Sequence, residues 1–167
     1  HVVGQAHLQA QTNRLRDKRK ARAGRASQVV FFSEPVKEDF GDSRGFDQFG
    51  VFSTLIECIG KRSDIQLLVK PHPRENTVVW RDIVDGSAQL SELSAADLLV
   101  MADGVIGMTT MVLVEAHLLG IPVLSLQPNR SEIVNPMIED ISQPVLDWKN
   151  FFDVWRVFQA AIGSKQP

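Results

Sequence analysis

Short apolar runs alternate with longer, partly polar stretches along the chain. The runs are rich in β-branched and aromatic residues, which is typical of strands buried on both faces. After the end of a first strand at 1–4, they predict strands at 29–32, 65–69, 105–107 and 121–126. The stretches between them predict helices at 5–23, 46–61, 78–84, 93–101, 111–119 and 148–162, and loops at 36–46 and 127–147. This alternation predicts an α/β fold, a Rossmann-like three-layer sandwich with a mostly parallel sheet.

One strand end carries a concentration of positive charge. In open parallel sheets, ligands bind beyond the carboxyl ends of the strands, and here those ends are 4–5, 33–34, 70–74, 107–110 and 127–132. Segment 70–74 reads Lys-Pro-His-Pro-Arg, so Lys70, His72 and Arg74 leave one strand within five residues. The prolines stiffen the turn, and an imidazole beside a guanidinium suits a phosphate. A rigid connector whose charges point into water fits these residue types equally well.

A second anion-binding pattern follows the predicted strand at 105–107. Gly107, Thr109 and Thr110 precede a predicted helix, where free backbone N–H groups, the helix dipole and two hydroxyls can hold an anion. Plain N-capping explains one of the threonines without any ligand. Glu115 lies farther along this helix, where a carboxylate can accept hydrogen bonds from ribose hydroxyls, although an exposed helical glutamate is the commoner case.

Composition narrows the class of protein. Of the 167 residues, 44% are apolar and 23% are charged, as in soluble globular domains, so we expect one domain over 1–167. Cys58 is the single cysteine, which excludes an internal disulfide or a multi-cysteine zinc site and favours a reducing cytoplasm. The histidines have no metal-site spacing, and the glycine-rich motifs of dinucleotide dehydrogenases and P-loop NTPases are absent. We therefore expect no metal and no cofactor.

Charge is unevenly distributed along the chain. The net charge is −2 overall, but segment 13–25 carries +6 and leaves −8 for the remainder. The segment is more typical of a solvated helix face, and the alternative is a patch for an anionic lipid head group or a polyanionic acceptor.

Two segments together resemble a known family. They are Val-Lys-Pro-His-Pro-Arg-Glu at 69–75 and Ala-Asp-Gly-Val-Ile-Gly-Met-Thr-Thr-Met-Val-Leu-Val-Glu-Ala at 102–116, which continues as Gly-Ile-Pro-Val-Leu at 120–124. The chain is similar over about 2–129 to the C-terminal, nucleotide-binding half of GT-B-fold glycosyltransferases. The pattern is most similar to bacterial capsule and teichoic-acid enzymes with a KPHP-type motif, including glycerophosphotransferases and sialyltransferases. UDP-N-acetylglucosamine 2-epimerases share the fold and the order of elements.

This resemblance implies roles for the candidate residues. His72 is expected to contact a donor phosphate, Thr109 and Thr110 to bind phosphate with the amides that follow Gly107, and Glu115 to hold the ribose. Lys70 and Arg74 are expected to add positive charge. Such enzymes have an additional N-terminal domain of similar size that carries acceptor recognition, so we expect this chain to be a fragment that is inactive alone. The catalytic residues stay unassigned.

The resemblance favours the donor-binding half of a glycosyltransferase or glycerophosphotransferase of bacterial surface polysaccharide synthesis. The expected partners are a nucleotide-activated donor, the N-terminal domain of the same protein and a lipid-linked or polyanionic acceptor, with no nucleic acid. The expected location is cytoplasmic, or peripheral at the inner face of the membrane. Two alternatives stay open: an epimerase or hydrolase of nucleotide sugars, and a non-catalytic binding module with the same fold. The epimerase interpretation is weakened because Gly107, Met108, Thr109 and Thr110 stand where epimerases have a serine and paired glycines.

Overall fold

Five parallel strands form one sheet in the computed structural model, which describes residues 6–19, 26–60, 62–84, 86–130, 135–142 and 144–164. In chain order the strands are β1 (Ser27–Phe32), β2 (Ile65–Lys70), β3 (Gln89–Leu90), β4 (Gly104–Gly107) and β5 (Val123–Ser125). Their order across the sheet is β3-β2-β1-β4-β5, and each neighbouring pair is parallel. The predicted α/β, Rossmann-like fold is therefore confirmed. The predicted strand at 1–4 lies outside the described residues.

Helices cover both faces of the sheet. They are α1 (Ala6–Lys18), α2 (Val36–Phe40), α3 (Gln48–Ile59), α4 (Thr77–Val84), α5 (Ala95–Met101), α6 (Met111–Leu118), α7 (Pro136–Glu139) and α8 (Phe151–Gly163), the last preceded by a 3₁₀ turn at Trp148–Asn150. Because side chains alternate along a strand, Val29 and Phe31 pack against α3, α4 and α8. Val30 and Phe32 pack on the other face against α1, α5 and α6. Both faces of β1 are therefore buried, as its apolar run predicts.

Three short elements, α2, α7 and β3, were missed by the sequence predictions. The predicted loop at 36–46 begins with α2, whose first turn carries Glu38 and Asp39 where the helix dipole favours acidic residues. The predicted loop at 127–147 contains α7, because Asn135 caps it and a proline begins it. Strand β3 was missed because its two residues are too short for a periodic signal.

The chain changes direction at β1, and this creates a crevice. It passes outward from β1 to β2 and β3, then crosses back to β4 and β5 on the other side. Phe32 lies opposite Lys70, and Phe31 lies opposite Ile106, so the carboxyl ends of three strands meet at one edge. In open parallel sheets, ligands bind beyond that edge where the strand order reverses. The ends of β1, β2 and β4 are therefore the place to examine for chemistry.

The described part of the basic run attaches the end of α1 to the neighbouring helices α5 and α6. The Arg16 guanidinium donates to the Leu118 carbonyl (2.8 Å), and the Arg19 guanidinium donates to the carbonyls of Leu99 (2.5 Å) and Ala102 (3.0 Å). These acceptors lie at the carboxyl ends of α6 and α5, where positive charge is stabilising. Two cations of the run therefore stabilise tertiary structure, a use that neither sequence interpretation included; residues 20–25 lie outside the described residues.

Candidate functional site

Ser33 and Glu34 follow β1 directly and reach in opposite directions. The Ser33 hydroxyl donates to Glu75 Oε1 (2.8 Å) on the β2 side, while the Glu34 carboxylate accepts from Thr109 on the β4 side. Alternation along an extended chain explains the opposite directions. The two residues therefore connect the turn after β2 with the amino end of α6, across the crevice where the strand order reverses.

Glu75 is the buried centre of the turn that follows β2. It is 7% exposed, and its carboxylate accepts hydrogen bonds from Ser33 Oγ (2.8 Å), the His72 backbone N–H (2.5 Å) and Trp80 Nε1 (3.3 Å). A buried carboxylate is tolerated only where donors compensate its lost hydration. Three donors from β1, the turn and α4 do so here, so Glu75 holds the three segments together.

The two predicted cationic side chains of this turn, His72 and Arg74, lie next to an acidic residue of α2. Arg74 forms a two-bond ion pair with Asp39, at 2.8 and 2.5 Å. Hydrogen bonding to this guanidinium lowers the pKa of Asp39, and the His72 ring adds a smaller effect in the same direction. His72 is half-buried, and its Nδ1 accepts the Arg74 backbone N–H at 3.2 Å. Arg74 is therefore already paired with a carboxylate of its own chain.

The amino end of α6 also holds a carboxylate. The Thr109 backbone N–H donates to Glu34 Oε1 (2.6 Å) and the Thr109 hydroxyl donates to Glu34 Oε2 (2.5 Å). Thr110 is the N-cap, and its hydroxyl accepts from the Val112 N–H at 3.2 Å. The structure thus decides between the two threonines: Thr110 caps the helix and Thr109 binds an anionic group.

Opposing effects act on the ionisation of Glu34. Burial raises its pKa above the ordinary value of 4.5, while hydrogen bonds from Thr109 and the Thr110 amide lower it, and repulsion from Glu75 raises it. Burial outweighs the hydrogen bonds, so the pKa of Glu34 is raised. The carboxylate at the amino end of α6 is therefore held at a cost in hydration.

Close packing fixes the backbone of Gly107 and Met108, which precede the Thr109 donors. A Cβ added at Gly107 would lie 3.1 Å from Thr110 Cγ2 and 3.3 Å from the Phe32 carbonyl oxygen, so β1 and the start of α6 approach closely there. The Met108 carbonyl accepts from the buried Ser125 hydroxyl at 2.6 Å. A side chain at 107 would require Thr110 or the Phe32 carbonyl to shift by a few tenths of an ångström, so glycine suits this close approach.

The structure brings most predicted site residues to one edge of the sheet. Lys70 ends β2, His72 and Arg74 follow it, and Gly107, Thr109 and Thr110 connect β4 to α6, whereas Glu115 lies half-buried within α6. The two clusters are connected through Ser33 and Glu34, which the sequence placed among the strand ends where ligands bind but to which it gave no chemical role. It also missed Asp39 and Glu75. The position of Glu34 directly after a strand was the signal available in the sequence, whereas nothing local marks Asp39.

The described residues offer no metal centre, and the cavity that they enclose lies away from the strand ends. No three histidine, cysteine, aspartate or glutamate side chains in the described ranges gather as a metal-binding group. A cavity of about 230 Å³ lies elsewhere, between the start of β5 and α8, with a mainly apolar lining that includes Ile121, Val154 and Phe158. Its lining offers few groups for an anion, so we place the candidate site at the strand ends. None of the helices described here has the length and apolarity needed to cross a membrane.

Comparison with solved structures finds similar folds at low identity. One is the β-Kdo 2,7 transferase of Thermosulfurimonas dismutans KpsC, with 18% identity over 72% of this chain and 41% of that chain and a TM-score of 0.49. Another is the β-Kdo 2,4 transferase of Thermosulfurimonas dismutans KpsC, with 17% identity over 75% of this chain and 46% of that chain and a TM-score of 0.43. A third is the wall teichoic acid polymerase TagF, with 15% identity over 98% of this chain and 41% of that chain and a TM-score of 0.46. The chain thus spans less than half the length of these proteins, and likeness at this level carries no conclusion about ligand or activity.

Comparison at the sequence level gives a family without an activity. No curated protein matches the chain. A model of the family described as "Protein of unknown function (DUF354)" matches residues 7–143, which is most of the chain and includes every candidate site residue. The chain therefore belongs to the DUF354 family.

Proposed function

We propose that this chain is the donor-binding half of a glycosyltransferase or glycerophosphotransferase, and that it binds the diphosphate of a nucleotide-activated donor at the carboxyl edge of its sheet. The observation that carries this proposal is the carboxylate of Glu34 held by the N–H and hydroxyl of Thr109. A site that already satisfies one anionic group with aimed donors has the geometry that a phosphate oxygen requires.

The chemistry of the neighbouring strand end supports the same ligand. His72 and Arg74 add an imidazole and a guanidinium on the adjacent turn, with Lys70 at the end of β2. Fixed positive charge and aimed N–H groups stabilise a departing nucleotide by electrostatics, without a covalent intermediate on the protein. The resemblance of 69–75 and 102–116 to nucleotide-binding halves of GT-B enzymes adds the expectation that Glu115 holds the ribose.

The chain's own carboxylates set a condition on this binding. Glu34 takes the donors of Thr109, and Asp39 takes two donors of Arg74. A phosphate must therefore displace or share with these groups, so we expect the isolated chain to bind nucleotides weakly. The remaining parts of the proposed enzyme, an acceptor site and a general base, are expected on an N-terminal domain.

A nucleotide titration followed by amide NMR tests the proposal. The ¹⁵N-labelled chain is titrated with UDP, CDP, CMP and GDP at millimolar concentrations, with uridine and cytidine as controls that lack phosphate. We expect shifts that cluster at 70–74 and 109–115 with one nucleotide and that are much smaller with the nucleosides. Shifts confined to other regions, or equal shifts with the nucleosides, would refute a phosphate site at this edge.

A matched pair of histidine variants sharpens the titration. His72→Ala is expected to weaken binding of the preferred diphosphate by about tenfold, the usual loss for one hydrogen bond to a charged group. His117→Ala is the control, because His117 is exposed in the last turn of α6. Equal affinities of the two variants for the diphosphate would mean that His72 does not contact the ligand. In a separate assay, release of free UDP from a UDP-sugar without an acceptor would favour a hydrolase or epimerase instead.

A further inference from the structure

We infer that Glu75 is a positioning residue that holds the His72 ring as the Nε2-protonated tautomer and so makes that N–H the donor of the turn. The hydrogen bonds within the turn carry the first half of this inference. The second half, that the donor serves an anionic ligand, rests on the function proposed above.

Glu75 holds both polar groups of the His72 backbone. The Glu75 N–H donates to the His72 carbonyl at 2.9 Å, and the Glu75 carboxylate accepts the His72 N–H through Oε2 at 2.5 Å. Prolines 71 and 73 flank the histidine and restrict φ on either side of it. The backbone of His72 is thus fixed by a single residue three positions ahead.

The carboxylate is itself anchored from two other elements. Its Oε1 accepts from Ser33 Oγ, which follows β1, and from Trp80 Nε1 on α4, where the indole is fully buried. Movement of Glu75 would leave these buried donors unsatisfied, which is costly. The position of the His72 turn is therefore coupled to the core of the domain.

The fixed turn also selects the protonation site of the ring. It places the Arg74 N–H at 3.2 Å from His72 Nδ1, which acts as the acceptor. In neutral imidazole one ring nitrogen accepts and the other carries the proton, so the proton of His72 lies on Nε2. The choice of tautomer follows from the hydrogen bond that the other nitrogen makes.

This arrangement gives the turn a donor that does not depend on imidazolium formation. A neutral ring with an N–H at Nε2 can donate to a phosphate oxygen without carrying a positive charge. The neighbouring charges, Asp39 and Arg74, are paired with each other. His72 is thus the group of this turn whose donor is not already committed to a carboxylate side chain in the described structure.

Histidine ring spectra test the tautomer directly. Long-range ¹H–¹⁵N correlations of the full chain are recorded at about pH 8, where ordinary imidazoles are neutral, and His72→Gln assigns the signal. We expect the Nε2–H pattern for His72 in the unsubstituted protein. An Nδ1–H pattern, or rapid averaging between the two tautomers, would overturn the inference.

Variants of Glu75 and Ser33 separate loss of the His72 tautomer from general loss of the folded structure. Glu75→Gln keeps the size of the side chain, and its single oxygen is expected to face Ser33 and Trp80, which leaves an NH₂ group opposite the His72 N–H. We expect mixed tautomers in this variant and in Glu75→Ala. Ser33→Ala, which removes a different donor from the same carboxylate, should keep the Nε2–H tautomer. An unchanged tautomer in a folded Glu75 variant would contradict the positioning role.

Titration with pyrophosphate tests separately whether the His72 donor binds an anionic ligand. Glu75→Gln is expected to weaken pyrophosphate binding by about tenfold, as loss of one aligned charge-assisted hydrogen bond does, and Ser33→Ala is expected to change it little. If the unsubstituted protein has the Nε2–H tautomer but binds no pyrophosphate or nucleotide, the proposed function fails while the positioning of His72 stands. If it binds and the Glu75 and Ser33 variants bind equally, the positioning role in binding fails.

Discussion

Glu34 follows β1 and Glu75 follows β2 at the same edge of the sheet, yet the two carboxylates are held in different ways. Glu75 is 7% exposed and receives donors from three segments: Ser33, the His72 turn and Trp80. Glu34 accepts hydrogen bonds at the amino end of α6, from Thr109 and from the Thr110 amide, and its pKa is raised chiefly by burial. One carboxylate is part of the framework, while the other occupies a place that suits a ligand.

The difference shows how similar side chains can serve opposite purposes at one sheet edge. Displacing Glu75 breaks contacts to β1 and α4, so nothing is gained by moving it. Displacing Glu34 returns a poorly hydrated carboxylate to water and frees the two Thr109 donors for another anion. We therefore expect substitutions of Glu75 to lower stability and to weaken binding through His72, whereas substitutions of Glu34 free donors and strengthen binding.

The largest effect is expected for Glu75→Ala. Truncation leaves the buried donors of Ser33, His72 and Trp80 without an acceptor, and each unsatisfied group costs about 1–3 kcal/mol. We expect the free energy of unfolding in urea to fall by about 3 kcal/mol. Glu92→Ala is the control, because Glu92 is exposed and should change the value by less than about 0.5 kcal/mol. Similar small losses in both variants would mean that Glu75 is not part of the framework.

A smaller loss is expected for Thr109→Val. The change keeps the shape of the side chain but removes the hydroxyl that donates to Glu34, which costs about 1–3 kcal/mol for a partly buried charged acceptor. Urea unfolding measures the loss. Thr54→Val removes a hydroxyl that bonds the Gly50 carbonyl on an exposed helix face, so its effect should be within about 0.5 kcal/mol. Equal losses of stability in Thr109→Val and Thr54→Val would mean that the Thr109 hydroxyl does not stabilise the Glu34 carboxylate.

Glu34→Gln is expected to alter the pH dependence of stability more than stability itself. Because the pKa of Glu34 is raised in the folded state above 4.5, the folded protein binds this proton more tightly than the unfolded chain does. Its contribution to stability is complete below about pH 4.5 and is lost as the pH rises through the raised pKa.

Thermal unfolding at several pH values checks this sign. The unsubstituted protein should gain stability relative to Glu34→Gln as the pH falls from 7 towards 4.5. In a separate titration at pH 7, the variant should bind pyrophosphate more tightly than the unsubstituted protein. Taking the difference between the two proteins cancels the other titrating groups that they share. A difference that grows in favour of the variant on acidification would contradict the raised pKa.

The smallest effect on stability is expected for Asp39→Asn. The Asp39–Arg74 pair is exposed to solvent, and such pairs contribute little to folding, so the unfolding midpoint should not change measurably. Pyrophosphate binding should become tighter, because Arg74 loses its internal partner. The matched control is Asp64→Asn, which breaks the similar exposed pair with Arg62 and should leave binding unchanged. Tighter binding in both variants would indicate a general charge effect rather than release of Arg74.

The sequence was informative for elements with a periodic signal. The apolar run at 29–32 predicted a strand buried on both faces, and Thr109 or Thr110 was predicted to begin α6, for which the structure selects Thr110. Short elements such as β3 and α7 have too few residues for a period to emerge. The candidate residues at 70–74 and 107–110 could be chosen because a general rule states where ligands bind in parallel sheets.

The sequence by itself determined where the longer strands and helices form, and which strand ends carry cations and hydroxyls, because both are local properties of the chain. Only the tertiary structure decided that those groups are already held by internal carboxylates. Glu34 and Thr109 are 75 positions apart, Ser33 and Glu75 are 42 apart, and Asp39 and Arg74 are 35 apart. Parallel strand pairing brings such distant residues to one edge, and no local pattern records which of them will meet.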